Sequence, residues 1–228
     1  MMQQPAPYIN VHSHHVQAPN DEQIVLYSRL LQERFASQVA DDVYFTAGVH
    51  PWHAAAYDHR KLHDQLEASL KHQRFLAVGE IGLDKAKGPN LKIQQTVFIQ
   101  QLEWAQKQKL PVIIHNVKAD GELMSLRKQY NQTPWILHGF QGNGQQAAHW
   151  LAKGCYVSIG VSLFGKSSKL MEVIPSIPVE WLFVETDEAA VDEIVPLYNK
   201  IATLKELSLG QLRQALYNNM RKVFIDDK

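Results

Sequence analysis

Short, largely apolar runs alternate along this chain with longer amphipathic stretches. The runs are YINVHSH (8–14), QIVLYS (23–28), VYFTAGVH (43–50), FLAVGEIGL (75–83), PVIIH (111–115), WILHGF (135–140), CYVSIG (155–160) and WLFVET (181–186). Their length and their β-branched and aromatic residues predict strands. Between most of them apolar residues recur three and four apart, as on one face of a helix. In TVFIQQLEWAQKQKL, Val97, Gln101 and Trp104 share one such face, and Phe98, Leu102 and Ala105 share another. Eight strands alternating with helices predict an α/β fold, a closed (β/α)8 TIM-type barrel. Only VQAPNDE separates the first strand from the second, too little for a crossover helix. The barrel is therefore expected to be distorted, with a shortened first β/α unit in which a loop replaces the helix. An open doubly wound sheet is the alternative, but the Gly-rich phosphate turn that usually marks one does not occur. No low-complexity tract or Pro/Gly/Ser linker divides the sequence, so residues 1–228 are expected to form a single domain.

Charge narrows the partners. Lys+Arg and Asp+Glu both number 23, so the formal net charge is +0. No global attraction to nucleic acid or to an anionic membrane follows, and any polyanion has to be drawn locally. One cysteine, Cys155, excludes an intramolecular disulfide framework and suits a reducing compartment. No apolar run reaches membrane-spanning length. The opening MMQQPAPYIN lacks the basic-then-apolar order of a signal peptide, so a cytoplasmic location is expected.

The ends of the strands carry the chemistry. Side chains alternate along a strand, so His12 and His14 should share one side, with Ser13 on the other. Glu80 lies near the end of a hydrophobic strand that could hardly bury an unpaired carboxylate. His115 closes PVIIH, His138 sits in WILHGF, and Asp187 follows LFVET. Six metal-ligand types thus fall at the ends of five strands, where barrel enzymes place catalytic groups. Four imidazoles and two carboxylates exceed one tetrahedral zinc shell. They suit two divalent ions that share a carboxylate, with Glu80 as the candidate bridge. Asp187 has two oxygens, so it can hold an ion with one and take a water's proton with the other. This is the equipment of a hydrolase. His50 is a candidate substrate contact, and Glu185 is expected to orient a ligand imidazole. His53, His59, His63 and His72 belong to a polar stretch and read as solvated. Trp52 and Phe140 can wall the pocket, and Lys166 and Lys169 offer local positive charge.

The pieces HSH (12–14), GVHPWHA (48–54), GEIGLD (79–84), QTVFIQQLEWAQKQKLPVIIH (95–115), LHGFQGN (137–143), GCYVSIG (154–160) and ETD (185–187) come in order over nearly the whole chain. Together with the tail NMRKVF (219–224), they resemble the TatD family of metal-dependent deoxyribonucleases, within the amidohydrolase-like barrels. The resemblance implies that His12, His14, Glu80 and Asp187 hold one ion, and that Glu80, His115 and His138 hold the other. It also implies exonucleolytic hydrolysis of DNA phosphodiesters, at single strands or ends. Imidazole-rich shells favour zinc, manganese or iron, whereas the family is associated with magnesium, so the identity of the ions stays open.

Three departures bear on the substrate. Where the family has an Arg two residues after the histidine of the fifth predicted strand, a residue suited to clamp phosphate, this chain has Val117, and the neighbouring Lys118 is the candidate substrate contact in its place. Asn10 stands where the first motif has Asp, and Glu188-Ala189-Ala190 follow ETD in place of a small residue, Pro and an aromatic. These changes leave the metal-ligand types intact. They keep two rivals in play: a binuclear amidohydrolase acting on a small amide, ester or phosphoester, and a metal-binding protein without catalysis.

Overall fold

The computed structural model describes residues 5–31, 41–166 and 168–226. Eight strands form one parallel sheet in chain order: β1 (Tyr8–Ser13), β2 (Gln23–Leu30), β3 (Phe45–Gly48), β4 (Phe75–Asp84), β5 (Val112–Val117), β6 (Trp135–Leu137), β7 (Cys155–Ile159) and β8 (Leu182–Val184). A parallel bridge between Ser13 and Asp187 joins the last strand to the first. Its hydrogen bonds run from His14 N to Asp187 O (3.0 Å) and from Asp187 N to His12 O (3.0 Å). The barrel therefore closes at its C-terminal mouth, through the backbone of three of the expected metal ligands.

The first unit is compressed as expected, for residues 14–22 contain no helix. Among the described residues seven α-helices cover the outside: α1 (His59–Leu70), α2 (Leu91–Gln108), α3 (Asp120–Gln129), α4 (Gly144–Leu151), α5 (Leu170–Val173), α6 (Ile194–Leu204) and α7 (Leu209–Arg221). Strands buried on both faces need near-continuous apolar sequence, and all ten residues of β4 are buried. One hydrophobic layer packs helices on the barrel, with Leu66, Phe98, Trp135, Trp150 and Leu216 among its members. A second fills the barrel interior around Ile9, Leu26, Ile113, Ile136 and Phe183. Met220, Val223 and Phe224, from the end of α7 and the π-helical turn after it, belong to that interior cluster. No helix among the described residues is long and apolar enough to cross a membrane.

Several strands end earlier than the apolar runs suggest. β6 stops at Leu137 and β8 at Val184, so His138, Glu185 and Asp187 lie just beyond regular pairing. The pairing of β1 with β2 shifts register between Asn10 and Ser13, and His12 and His14 still turn to one side, as alternation predicts. Asn10 is fully buried there: its Nδ2 donates to Thr186 Oγ1 (2.8 Å) and its Oδ1 accepts from Thr186 N (3.1 Å). An amide side chain with both a donor and an acceptor ties the first strand to the last segment, which a carboxylate could do only by acceptance.

α2 has a structural task that its apolar periodicity conceals. Gln101 is buried and brackets Val49, its Oε1 accepting from Val49 N (2.7 Å) and its Nε2 donating to Val49 O (3.1 Å). Gln94 does the same for Asp84, accepting from its N (2.8 Å) and donating to its O (2.8 Å). Two glutamines thus fix the ends of β3 and β4, where the site begins.

Candidate metal centre

Glu80 is the hub. It is 3% exposed, and its two oxygens face different partners. Oε2 lies 3.5 Å from both His12 Nε2 and His14 Nε2. Asp187 Oδ1 completes that group, 3.5 Å from His12 Nε2 and 3.6 Å from His14 Nε2. Donors 2.0–2.2 Å from one tetrahedral ion stand roughly 3.3–3.6 Å apart. The first group therefore has ligand spacing.

The second group is tighter. Glu80 Oε1 lies 2.6 Å from His115 Nδ1, 2.7 Å from His138 Nε2 and 3.2 Å from His50 Nε2. Nδ1 of His115 is in turn 3.3 Å from both His138 Nε2 and His50 Nε2. These are hydrogen-bonding separations, and roughly 0.7 Å of opening between Glu80 and the two closer rings would give ligand spacing. His50 differs from the other two. Its Nδ1 accepts from Trp52 N (3.2 Å), so a neutral ring carries its proton on Nε2 and donates toward Glu80. Burial, the largest influence, lowers the His50 pKa and keeps that ring neutral despite the Glu80 carboxylate.

The first group fits a divalent ion by an independent sign. His12 is completely buried, and neither of its ring nitrogens has a hydrogen-bond partner. Burying such groups unsatisfied is costly, and a cation beside the His12 nitrogen would relieve it. The donor set of imidazoles and carboxylates is the set divalent transition ions prefer.

Protons occupy the same electrostatic role in the metal-free protein. Burial and His138 press the His12 pKa down, yet Asp187 and Glu80 outweigh them and raise it to about 9. Burial works against ionisation of Glu80 as well, but His138, His115 and His12 hold its pKa well below the usual carboxylate range. For His138, burial is again the largest influence and again loses, here to Glu80 and Glu185, so its pKa rises well above normal. Asp187 is held low by His12 against its own burial.

Two further carboxylates hold rings of the tighter group. Asp84 Oδ2 lies 3.2 Å from His115 Nε2 and accepts from Trp52 Nε1 (2.6 Å), while its Oδ1 accepts from Ala86 N (2.7 Å) and Lys87 N (2.9 Å). Glu185 is fully buried, accepts from Gly139 N (2.5 Å), and stands 3.5 Å from His138 Nδ1. An imidazole whose far nitrogen is engaged presents the near one in a fixed orientation. Glu185 lies where the sequence suggested. Asp84 ends the GEIGLD segment, and only its distance from His115 shows what it does. Gly82 lets β4 come close enough, for at φ +152° any Cβ there would fall 2.0 Å from His115 O.

A cavity of about 500 Å³ opens beside the cluster, with His115, Lys118, His138, Gln141, Gln146 and Asp187 in its wall. Lys118 is thus at the mouth, whereas His50 is buried against Glu80 and absent from that wall. Phe140 also lines the cavity, while Trp52 lies to the side, partly exposed, with Lys87 Nζ 3.3 Å from its ring centroid. Glu188 is 78% exposed, its Oε1 3.8 Å from His14 Nε2. Of the four outlying histidines, His53, His59 and His63 are exposed; His72 is half-buried, edge-on to Phe45.

Over residues 23–225 the chain matches the model of the family described as TatD related DNase. The chain belongs to the TatD family. Among its TatD-type relatives, the metal-dependent hydrolase YjjV of Escherichia coli K12 is 28% identical over 199 residues, or 80% of this chain and 76% of YjjV. The metal-dependent hydrolase YabD of Bacillus subtilis 168 is 30% identical over 200 residues, covering 81% of this chain and 78% of YabD. The crystal structure of YjjV superposes with a TM-score of 0.84 at 24% identity, covering 95% of this chain and 97% of that one. A TatD-family hydrolase from Entamoeba histolytica shares the fold at 0.80 and 16% identity, covering 98% and 100%. This TatD protein is accordingly a metal-dependent hydrolase.

Proposed function

We propose that the protein hydrolyses DNA phosphodiester bonds, using two divalent ions divided by Glu80. The observation that carries this reading is the splitting of one buried carboxylate: Oε2 faces His12, His14 and Asp187, while Oε1 faces His115 and His138. Ions held in the two groups would lower the pKa of a shared water and offset charge on the phosphate oxygens. The remaining work falls to side chains. Asp187 presents Oδ1 to His12 and His14, which leaves Oδ2 to take a proton from the attacking water. Its low pKa keeps it ionised for that purpose at neutral pH. The water oxygen bonds to phosphorus, the ester P–O bond breaks, and the proton taken by Asp187 passes to the departing alkoxide. Asp84 and Glu185 hold the His115 and His138 rings, and His50 donates toward Glu80. Lys118, on the cavity wall, supplies one point charge for a phosphate oxygen.

The DNA part of the reading is supported by the family description and by the open, polar mouth. A specific observation favours a second reading, hydrolysis of a neutral amide or ester: Val117 offers no charge, and Glu188 adds negative charge beside His14. Incubation of the manganese-loaded protein with end-labelled single-stranded DNA, and in parallel with neutral amides and esters, separates the two. Stepwise shortening of the DNA is expected. Turnover of the neutral substrates with DNA untouched would replace the first reading by the second. A cytoplasmic location accords with DNA as substrate and belongs to the same proposal.

A further inference from the structure

A second cavity, of about 390 Å³, adjoins the first, and Gln141 and Gln146 line both. Its other walls come from Asn143, Ser162, Gly165, Ser168 and Lys169, and none of the described residues in its lining is acidic. None of them is a candidate metal ligand either.

What these side chains can offer is set by the start of α4. Asn143 Oδ1 accepts from Gln146 N (3.0 Å), and Gln146 Oε1 accepts from Asn143 N (3.0 Å), a reciprocal capping box. Both carbonyl oxygens are thereby engaged, so each amide is left with its NH₂ group, a donor. Ser162 contributes to the wall, with its hydroxyl oxygen buried. Among the described residues, Lys169 adds the only charge in the lining, and it is positive. A pocket of donors with one cation and no carboxylate selects an anion. It lies one shared wall from the cavity that receives the scissile bond, so the anion it suits is one carried by the same substrate.

We propose that this cavity is a phosphate subsite, holding the phosphodiester next to the one being cleaved, with Lys169, Asn143 and Gln146 as its donors. The proposal rests on the phosphodiesterase reading and deepens it: the substrate is an oligonucleotide, gripped at a second phosphate away from the metal centre. A small phosphoester reaches only the first cavity.

Pentathymidylate and thymidine 5′-p-nitrophenyl phosphate, given to the manganese-loaded full chain, test this. In Lys169→Ala the ratio of kcat/KM for pentathymidylate to that for the small ester should fall about fivefold at low salt, the scale of one exposed charge contact. Lys169→Arg should restore most of it. Fluorescence anisotropy of labelled pentathymidylate on chelator-treated protein gives a readout without turnover, and there too Lys169→Ala should weaken binding about fivefold. An unchanged ratio with unchanged anisotropy overturns the subsite, while continued hydrolysis of the small ester leaves the phosphodiesterase reading standing. If neither compound is hydrolysed, that reading fails, and with it the assignment to a neighbouring phosphodiester. Anisotropy that still depends on Lys169 would then mark a bare anion site.

Discussion

The two sides of Glu80 are built differently. On one side His12, His14 and Asp187 stand 3.5–3.6 Å from their partners, already at ligand spacing. On the other, His115 and His138 have closed to 2.6 and 2.7 Å of Glu80 Oε1. Among the described residues the open group has no carboxylate behind its rings, and it hangs on backbone, the seam where β1 meets the segment after β8. The tight group is steered by Asp84 and Glu185 from outside. The contrast teaches that one array of donors can be fixed by main-chain pairing and its neighbour by charged side chains. The first is then rigid through topology and the second adjustable through a few hydrogen bonds.

Removing the shared element should have the largest effect. Glu80→Gln takes the charge from both groups at once, so metal analysis should show both ions lost and turnover below detection. Retention of one full equivalent would mean that the two groups do not depend on a common carboxylate. Asp187→Asn touches only the open side. It should keep the fold and most of the metal, yet lose roughly 10²-fold or more in kcat, the usual cost of removing a general base. A variant with near-normal turnover would move the proton acceptor elsewhere.

Asp84→Asn tests the tight side alone. Weaker steering of His115 should reduce affinity for one of the two ions by roughly 10–100-fold, leaving the other unchanged. A titration in which both ions weaken equally would contradict the separation of the groups.

Acidity sharpens the same comparison in the metal-free protein. His12 has its pKa raised to about 9 from 6.5, so its stabilising contribution is complete below 6.5 and is lost as pH climbs through about 9. Glu80 and Asp187 have lowered values, so theirs is present above the ordinary carboxylate range and disappears as pH falls. Melting of the metal-free protein should therefore decline between pH 6.5 and 9, while the metal-loaded protein, with cations replacing the protons, should resist that decline. A flat metal-free profile over this interval would show that His12 is not protonated between its carboxylates.

The smallest effects belong to the rim. Lys118→Ala should raise KM for DNA and Glu188→Ala should lower it, each by a few-fold, with metal content unchanged. Both shifts should shrink as salt rises, since exposed charges are screened within about 8 Å at physiological ionic strength. Absence of either shift at low salt would mean that these side chains do not face the phosphate.

Much of this arrangement could be read from the chain because it is written in period and position. Eight apolar runs gave the strands, and the polar residue breaking or ending each run gave His12, Glu80, His115, His138 and Asp187. Less visible were groups whose role depends on what lies opposite. Gln94 and Gln101 sit among apolar neighbours on α2, and their bonding to Asp84 and Val49 spans 10 and 52 residues. Asp84 looks like an ordinary polar strand end until His115 is seen 3.2 Å away. His50 has a ligand's chemistry, and only the Trp52 amide at its Nδ1 reveals it as a donor. The early ends of β6 and β8 are hidden for a related reason: backbone bonding continues past them, from His138 N to Ile114 O and from Glu185 N to Ile159 O.

The bridge between Ser13 and Asp187 also has a kinetic side. Its partners are far apart in the chain, and a loop of that length closes slowly, after the intervening strands have assembled. The open donor group cannot exist before that last pairing forms, so a divalent ion has little to grip in partly folded chains. Such an ion acts as a latch on the finished barrel. It slows opening and leaves the rate of assembly nearly untouched, and resistance to unfolding in this protein becomes a measure of metal supply.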